Sequence, residues 1–355
     1  MENNFSIGEN QKQEENLRRE IEFEKYVNGR IVEINTGEVL IDKSSSGKIH
    51  HWEDKKAANL QMVELYRMAM KIDENLMTTG RLFQMEQCGD YLVFGSDENG
   101  KRKLVDANFC RVRHCPLCNW RRSLKMFAQV SEITEVIMQE KSVRFIFLTL
   151  TVRNPTGEQL SSTLDNMNMG FKYLTQKSMK FAPTQKLKEN LLGYLKATEV
   201  TYNSRDNTYH LHFHILLEVR PSYFGKNYVK QAEFSYMWKQ AMKLDYDPIV
   251  DVRVVKNATA HTVAEVAKYP TKSADLLTLK DKERAAQALI TLHKVLHNRR
   301  LITFGGDFKV VKARLKLDDV ETGSLIHIET EQEQQLNAVA YTMFKYNKVY
   351  GCYIC

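Results

Sequence analysis

Alternating apolar and polar positions dominate the middle of the chain. Four short runs rich in β-branched and aromatic residues predict strands at 143–152, 193–203, 208–219 and 248–256. Between them, apolar residues three and four positions apart predict helices over 157–180 and 228–244. The resulting order β-α-β-β-α-β predicts an α+β fold with the ferredoxin-like arrangement, an antiparallel sheet with helices packed on one face.

Helical patterns flank this predicted sheet on both sides. They cover 52–85 and the stretch after residue 118 on the amino-terminal side, and 259–277 and 282–300 on the other. We therefore divide the chain into four regions: a polar amino-terminal segment expected to lack a fixed structure in part, a mainly helical region with a cysteine-rich segment, the sheet domain, and a helical and mixed extension. Their bounds are 1–50, 51–140, 141–280 and 281–355.

Composition narrows the class of protein. With 355 residues, 43% of them hydrophobic, the chain can bury more than one core and is not of the disordered class. A net charge of +7 favours a polyanionic partner. The chain has no apolar stretch near the roughly 20 residues of a membrane span, and its start has no secretory signal, so we expect a cytoplasmic protein without a membrane partner. In that reducing compartment its six cysteines favour metal ligation or free thiols over disulfides.

Three histidines occur at every second position of the run "YHLHFHILLEV", residues 209–219. Side chains alternate across a strand, so His210, His212 and His214 share one face. Leu211 and Phe213 share the other face with further aliphatic residues, and that face can pack on the helices. We therefore expect the histidine face to be open.

The preceding strand brings a carboxylate to the same face. A hairpin loop centred on Arg205 and Asp206 places Glu199 opposite His212. Glu199, His212 and His214 can then converge on a divalent metal that acts as a Lewis acid, and Mg²⁺, Mn²⁺ and Zn²⁺ are all compatible with these ligands. The alternative is a solvated strand face on which the histidines are incidental polar residues.

A tyrosine lies at the end of a predicted helix downstream. In "HTVAEVAKYPTKSADL", residues 261–276, Glu265 and Tyr269 share one helical face with Lys272, and Pro270 ends or kinks the helix. The cations of Lys268 and Lys272 would favour the phenolate of Tyr269, whose pKa is ordinarily near 10. Taken alone, Tyr269 is as well explained by packing, and Glu265 by an ion pair with a neighbouring lysine.

The cysteines at 110, 115 and 118 have metal-ligand spacing. Together with Cys88 they provide four soft ligands, the usual composition of a structural tetrahedral zinc site. The rival interpretations are a plant-type iron–sulfur cluster closed by Cys352 or Cys355, His114 replacing Cys88 as a ligand, and free buried thiols. Basic residues around the cysteines form a collar with Trp120 that suits phosphate contact and stacking: Arg111, Arg113, Arg121, Arg122 and Lys125.

Three segments together resemble a known family. "FLTLTV" (147–152), "YHLHFHILLEV" and "EVAKYPTKSADL" are similar, in that order, to the motifs of rolling-circle plasmid replication initiators, the Rep family of small Gram-positive plasmids within the HUH endonuclease superfamily. The segment "NFCRVRHCPLCNWRRSLKM" is similar to the cysteine-rich region of that family. The resemblance covers about residues 50–320. One departure is Leu211, where such strands often have proline.

The resemblance implies a nickase and strand-transferase. His212 and His214 would be the paired metal ligands, assisted by Glu199, with Mg²⁺ or Mn²⁺ polarising a phosphodiester of single-stranded DNA. Tyr269 would attack, leaving a 5′-phosphotyrosine and a free 3′-hydroxyl. Glu265 would activate a terminating water. His210, Arg121, Arg122, Lys268 and Lys272 are expected to support DNA binding.

The resemblance also implies partners and an organisation. The expected partners are plasmid origin DNA, bound as a single-stranded nick site and flanking duplex, a host helicase and a host DNA polymerase. A homodimer is a further possible assembly. Residues 141–280 would be the nuclease domain, and residues 51–140 a zinc-binding DNA-recognition region. Two alternatives are a transposase or mobilisation nuclease with the same chemistry, and a non-catalytic origin-binding protein.

Overall fold

The computed structural model of the protein describes residues 32–33, 36–44, 47–255, 273–328 and 338–355. Its strands, in chain order, are β1 (Val32–Glu33), β2 (Asp42–Lys43), β3 (Ile49–His50), β4 (Tyr91–Ser96), β5 (Arg102–Ala107), β6 (Arg144–Thr151), β7 (Leu191–Asn203), β8 (Thr208–Val219), β9 (Val250–Val255), β10 (Ile302–Gly306), β11 (Ala340–Asn347) and β12 (Cys352–Ile354). Its α-helices are α1 (Trp52–Ile72), α2 (Thr79–Glu86), α3 (Pro116–Glu140), α4 (Leu160–Thr175), α5 (Gln185–Asn190), α6 (Gln231–Met242), α7 (Ser273–Leu277), α8 (Lys282–Leu296) and α9 (Asp307–Arg314).

The chain divides into two compact units, each assembled from separated segments. The first unit combines residues 1–54, 89–108 and 331–355, and the second combines 55–88 and 109–330. The four regions predicted from the sequence, with bounds near residues 50, 140 and 280, stay a prediction. None of the helices in the described ranges combines the length and apolar character that a membrane span requires.

The first unit contains a five-stranded sheet. Its order is β1-β11-β4-β5, with β12 pairing with the other end of β11, and β2 and β3 form a separate hairpin. The ring of Phe94 meets those of Trp52 and Phe344 edge to face, at centroid distances of 6.4 and 6.0 Å, and these rings form its core on one side of the sheet. We did not predict the β4–β5 hairpin, although its turn, "DENG", has the usual composition and Gly100 adopts a φ of 74°.

The second unit contains the predicted sheet. Its strand order is β10-β7-β8-β6-β9, and every neighbouring pair is antiparallel. The predicted order β-α-β-β-α-β is present as β6, α4, β7, β8, α6 and β9, so the α+β class with an antiparallel sheet is confirmed. The unpredicted strand β10 adds a fifth member beside β7, and the name ferredoxin-like stays a prediction.

The aliphatic face of β8 packs on two helices, as the alternation predicted. Phe213 meets Phe171 of α4 and Trp238 of α6 at ring-centroid distances of 6.2 and 6.4 Å. Helices α4 and α6 also approach each other closely at Gly170, where an added Cβ would lie 2.9 Å from the Trp238 ring. A side chain at position 170 would therefore separate the two helices.

The opposite face, which carries the histidines, is open only at one end. Beyond His214 it becomes apolar, with Phe145, Phe147 and Leu216, and a hydrophobic cluster with α3 and α9 covers this part. We expected helices on one face, yet they pack on both. The physical reason is that the apolar residues of this face need a cover as much as those of the other.

The predicted helix over 52–85 is interrupted. The chain leaves α1 at Ile72, and the Asp73 side chain accepts a hydrogen bond from the backbone N–H of Asn75 at 3.3 Å. The Thr78 hydroxyl then caps α2 by accepting from the N–H of Arg81 at 3.2 Å. These two local hydrogen bonds compete with a continuous helical ladder and favour a break.

Candidate metal centres

The register of the β7–β8 hairpin aligns Glu199 with His212. The two residues are direct cross-strand partners, as predicted, and Thr201 is likewise opposite His210. Direct partners in an antiparallel pair have side chains on the same face. The hairpin geometry therefore brings the carboxylate of β7 and the imidazoles of β8 to one place.

Three ligand atoms converge there. The Nε2 atoms of His212 and His214 lie 2.9 Å apart, and Glu199 Oε2 lies 3.4 Å from the first and 3.2 Å from the second. Ligands about 2.1 Å from one ion, at the angles of octahedral or tetrahedral coordination, lie about 3.0–3.5 Å apart. The three atoms therefore fit a shared divalent cation, and we call Glu199, His212 and His214 the histidine triad.

Exposure is uneven across the histidine triad. The side chains of Glu199 and His212 are 5% and 9% exposed, whereas that of His214 is 22% exposed. A three-ligand site with one accessible side leaves coordination positions for water or substrate, which is typical of a catalytic metal.

Two residues of β6 position His214. The ring of Phe147 stacks on the imidazole with an interplanar angle of 19° at a centroid distance of 5.6 Å. The Thr149 hydroxyl lies 3.5 Å from His214 Nδ1, the ring nitrogen that faces away from the other ligands. We did not assign either residue from the sequence. Phe147, Thr149 and Thr151 alternate along β6 and therefore share one face of the strand. Antiparallel pairing of β6 with β8 places this face beside His212 and His214, and that pairing was the signal that could have identified Phe147 and Thr149.

His210 lies next to the histidine triad but outside it. Its ring centroid is 4.7 Å from that of His212, and its side chain is exposed. Its Nδ1 atom is 3.1 Å from Asn154 Oδ1. The three ligand atoms that come together belong to the other two histidines and Glu199, so a supporting role for His210 stays a prediction.

The four predicted cysteines form a second, closed cluster, which we call the cysteine cluster. Cys88, Cys110, Cys115 and Cys118 are all buried, and their Sγ atoms converge: the 88–118 distance is 3.5 Å, and the 110–118 and 88–115 distances are 3.7 Å. Thiolates at the 2.3 Å Zn–S distance on a tetrahedron lie about 3.8 Å apart. The cysteine cluster therefore has the size of a tetrahedral metal site, with Cys88 as the fourth ligand.

Backbone N–H groups surround the sulfurs. The N–H of Cys110 donates to Cys88 Sγ, and the N–H of Arg111 donates to Cys118 Sγ, both at 3.3 Å. Arg111 has a left-handed φ of 59°, which turns the chain around the sulfurs. Cys115 caps the start of α3, with Pro116 in the first turn. These features hold the ligands in place from the backbone.

Ionisation of the cysteine cluster is uneven. Burial opposes ionisation, but hydrogen bonds from the neighbouring thiols and the charge of Arg122 together lower the pKa of Cys118. Burial raises the pKa values of Cys88 and Cys115. A bound cation would supply the positive charge that lets all four sulfurs ionise.

The rival ligands lie elsewhere. His114 packs against His293 at a ring-centroid distance of 6.2 Å, and burial, together with His293 and Arg113, lowers the pKa of His114 to about 3. Cys352 and Cys355 belong to the first unit, and the cysteine cluster is complete without them. The donor set is four thiols, which suits zinc, and iron–sulfur chemistry uses the same ligand type.

The predicted basic collar is largely internal. Arg121 is 4% exposed and donates to the carbonyls of Leu325 and Ile326 at 2.8 Å each. Arg122 is 3% exposed and donates to the carbonyl of Arg111 at 2.8 Å. These guanidinium groups attach a later segment and the cysteine loop to α3, which disfavours their predicted contact with DNA. Their DNA-binding role stays a prediction that this geometry does not support.

The predicted nucleophile and the residues predicted to assist it belong to a segment that the structure does not describe. Tyr269, Glu265, Lys268 and Lys272 lie outside the described residues.

The fold and its two clusters define a class: an α+β protein with one open Glu-His-His site and one closed four-cysteine site. Comparison with known proteins specifies it further. Residues 101–354 match a family described as Replication protein (Rep_1). The chain belongs to this family of replication proteins, and the resemblance inferred from its motifs is confirmed.

Curated relatives cover most of the chain. A protein named Protein rep from Bacillus amyloliquefaciens is 38% identical over 322 residues, which is 85% of this chain and 93% of the relative. Protein rep from Streptococcus pneumoniae serotype 2 is 37% identical over 307 residues, covering 84% and 90%. Protein rep from Lentilactobacillus hilgardii is 38% identical over 304 residues, covering 83% and 91%. No solved structure matches the chain significantly.

Proposed function

We propose that this replication protein initiates rolling-circle replication of a plasmid by nicking one DNA strand at the double-strand origin. The observation that carries the proposal is the convergence of Glu199, His212 and His214 within 3.4 Å of one another in a member of this family. An open site with a carboxylate and two imidazoles supports metal-assisted phosphoryl transfer.

The histidine triad would hold Mg²⁺ or Mn²⁺. When bound, such an ion withdraws charge from a phosphate oxygen and makes the phosphorus more electrophilic. Glu199 contributes the negative charge of the ligand set. His214 is the ligand at the open side of the site, and its contacts with Phe147 and Thr149 fix the orientation of its imidazole.

Tyr269 is the proposed nucleophile. Its phenolic oxygen would form a bond to phosphorus while the bond from phosphorus to the 3′-oxygen breaks. The departing oxygen takes a proton and becomes the 3′-hydroxyl that a host polymerase extends, and the 5′-phosphate stays on Tyr269. The neighbouring Lys268 and Lys272 would favour the phenolate.

Termination requires two steps: a 3′-hydroxyl attacks the phosphotyrosine, which rejoins the strand and releases Tyr269, and a water molecule cleaves the regenerated origin without forming a new covalent link. Glu265, one helical turn before Tyr269 in the sequence, would act as the general base for a water molecule at this stage. The role rests on the resemblance of the motif.

The remaining features fit an initiator. The cysteine cluster would hold a structural Zn²⁺ in a DNA-recognition region within residues 51–140, beside a nuclease domain within 141–280. The partners would be origin DNA, a host helicase and a host polymerase, in the bacterial cytoplasm, and a homodimer would let one copy act on each strand transfer.

A nicking assay tests the proposal. Supercoiled DNA of the replicon that encodes the protein is incubated with the purified chain, with and without Mn²⁺, and the open-circular product is measured. We expect metal-dependent nicking that Tyr269→Phe abolishes. Tyr236→Phe, a change at an exposed tyrosine of α6, is the matched control and should nick normally.

The alternatives predict different results. A transposase or mobilisation nuclease would nick its own recognition sequence and not the replication origin. A non-catalytic origin-binding protein would retain duplex binding and give no open-circular product with either metal.

A further inference from the structure

Arg153 lies beside the histidine triad. Thr151, two residues before Arg153, is the cross-strand partner of His212. Asn154, the residue after Arg153, contacts His210. Arg153 itself is exposed. Arg153 therefore lies just after the end of β6 that pairs with the histidines of β8.

The guanidinium of Arg153 is held in place before any ligand binds. It lies over the ring of Tyr246 at 4.3 Å from the centroid. The same tyrosine accepts a hydrogen bond from the backbone N–H of Arg153 at 2.6 Å. Stacking on an aromatic ring occupies one face of the guanidinium and leaves its edge donors available.

In the described part of the chain, no carboxylate forms an ion pair with Arg153. Asp247, next to Tyr246, pairs instead with Lys239 at 2.8 Å. Nearby Arg253 differs, since its guanidinium pairs with Asp251 at 2.8 Å. The positive charge of Arg153 is therefore available for an external anion.

An exposed apolar side chain lies on the neighbouring strand connection. Ile249 is 80% exposed, and its carbonyl accepts a hydrogen bond from the Thr151 hydroxyl at 2.8 Å. This bond ties it to the end of β6. Sites for single-stranded nucleic acid combine cations that follow the backbone with aromatic rings, and cation–π pairs of arginine contribute to them, so the Arg153–Tyr246 pair fits such a site. Ile249 adds exposed apolar surface at the same strand end.

We infer that Arg153, stacked on Tyr246 and beside Ile249, binds a backbone phosphate of single-stranded DNA next to the scissile position. This inference rests on the proposed function, since it assigns a subsite of the same active site. A phosphate held by two edge donors would fix the register of the strand relative to the histidine triad. Arg153 is then a binding residue that determines which phosphodiester is presented.

The second end of β6 offers a matched control. Arg144 is also exposed and lies over the ring of Phe224 at 4.9 Å. Seven residue steps along the strand lead from Arg144 to Thr151, which is about 23 Å at the rise of a β-strand. Arg144→Ala therefore removes the same charge and the same kind of stacking far from the site.

The test measures fluorescence anisotropy of a labelled single-stranded oligonucleotide copied from the origin strand, without added Mg²⁺ or Mn²⁺. We expect Arg153→Ala to weaken binding about 10-fold or more, the effect of losing hydrogen bonds to a charged group. The slope of log K against log salt should fall by about 0.7, the value for one phosphate contact. Arg153→Lys should lie between, Tyr246→Leu should show a smaller loss, and Arg144→Ala should bind like the unchanged protein.

Equal affinities for Arg153→Ala and Arg144→Ala, with unchanged melting temperatures, would overturn the inference. Failure of the subsite and failure of the nickase are distinguishable. A covalent adduct on Tyr269 together with equal affinities leaves the nickase standing without this subsite. A specific loss in Arg153→Ala without any adduct leaves a single-strand binding site in a non-catalytic protein.

Discussion

The two clusters of metal-type ligands in the second unit differ in how they are enclosed. The cysteine cluster has four buried ligands whose backbone neighbours donate to sulfur, so it has no position for a substrate. The histidine triad has three ligands, and His214 is 22% exposed. A closed four-ligand site serves the fold, and an open three-ligand site serves chemistry.

The elements that carry the clusters explain this difference. Three of the cysteines, Cys110, Cys115 and Cys118, lie in the loop before α3 and in its first turn, whereas Cys88 lies just after the end of α2. A metal at the cysteine cluster would therefore join segments that are distant in the sequence. The histidine triad lies on a hairpin whose own hydrogen bonds fix the register. The hairpin positions its side chains through its own backbone hydrogen bonds. For the cysteine cluster, we expect a bound ion to contribute to holding the segments together.

The largest expected effect is on the closed site. Cys115→Ser removes a ligand and the cap of α3, and we expect loss of bound zinc and a destabilisation of several kcal/mol, because metal binding at such sites contributes roughly 10 kcal/mol or more to folding. Metal content by mass spectrometry and thermal unfolding measure it. Cys352→Ser, outside the cysteine cluster, is the control and should retain the metal. Equal metal content in both variants would refute a structural zinc.

Removing a ligand of the histidine triad should affect stability less than removing a cysteine of the cysteine cluster, but it should strongly reduce activity. His212→Ala should leave the zinc content and melting temperature nearly unchanged. It should reduce Mn²⁺ affinity and nicking by more than about 100-fold, beyond the range seen for outer partners of metal ligands. Isothermal titration and the nicking assay measure both. Unfolding of this variant would mean that the histidine triad is structural as well.

The third prediction concerns the hydroxyl beside His214. Thr149→Val keeps the branched shape but removes the 3.5 Å contact with Nδ1, and we expect about 10-fold weaker Mn²⁺ binding. Thr151→Val is the matched control, because its hydroxyl bonds to the carbonyl of Ile249 instead. If the two variants bind Mn²⁺ equally, the Thr149 hydroxyl does not position the ligand.

The last prediction concerns stability and compares two buried glutamates on the same sheet face. Unlike Glu199, which faces two histidines, Glu218 is buried near Asp307. Burial and that carboxylate raise the pKa of Glu218 to about 8, and Lys141 opposes the shift. Because the pKa of this carboxyl is higher in the folded than in the unfolded protein, the folded state binds more protons between pH 4.5 and about 8. The corresponding contribution to the free energy of unfolding is complete below pH 4.5 and is lost as the pH rises to about 8. The loss is at most about 1.4 kcal/mol per pH unit.

Glu218→Gln should remove this part of the pH dependence. From pH 5 to pH 8, the free energy of unfolding of the unchanged protein should therefore fall relative to that of the variant. Chemical denaturation across that range measures it. A constant difference would show that Glu218 ionises normally in the folded protein.

Sequence patterns predicted the local geometry of both sites well. Period-two alternation placed His212 and His214 on one face, and the position of the hairpin loop gave the pairing with Glu199. Both depend only on neighbouring residues. Cysteine spacing likewise indicated that Cys110, Cys115 and Cys118 come together, because one short loop carries them. The position of Cys88 beside them depends on the longer segment between residues 88 and 110.

Long-range packing was not predictable in the same way. The cover over Phe147 and Leu216 comes from α3 and α9, and no local pattern states which apolar surfaces meet. The burial of two residues of the basic collar was unpredictable for a related reason, and their role in DNA binding stays a prediction. Arg121 is buried against a carbonyl some 200 residues later in the chain, that of Leu325. Arg122 is buried against the carbonyl of Arg111, in the loop that carries the cysteines. Neither contact can be read from the charge of an arginine in the sequence.

Mass spectrometry of a trapped adduct shows directly whether Tyr269 is the residue that becomes linked to DNA. The protein is incubated with its supercoiled replicon and Mn²⁺, denatured and digested, and the peptide that carries a nucleotide is sequenced. We expect a 5′-nucleotide on Tyr269 that disappears without the metal and in His212→Ala. An adduct that forms equally without metal, an adduct on another residue, or nicking without any adduct would show that Tyr269 is not a metal-dependent nucleophile.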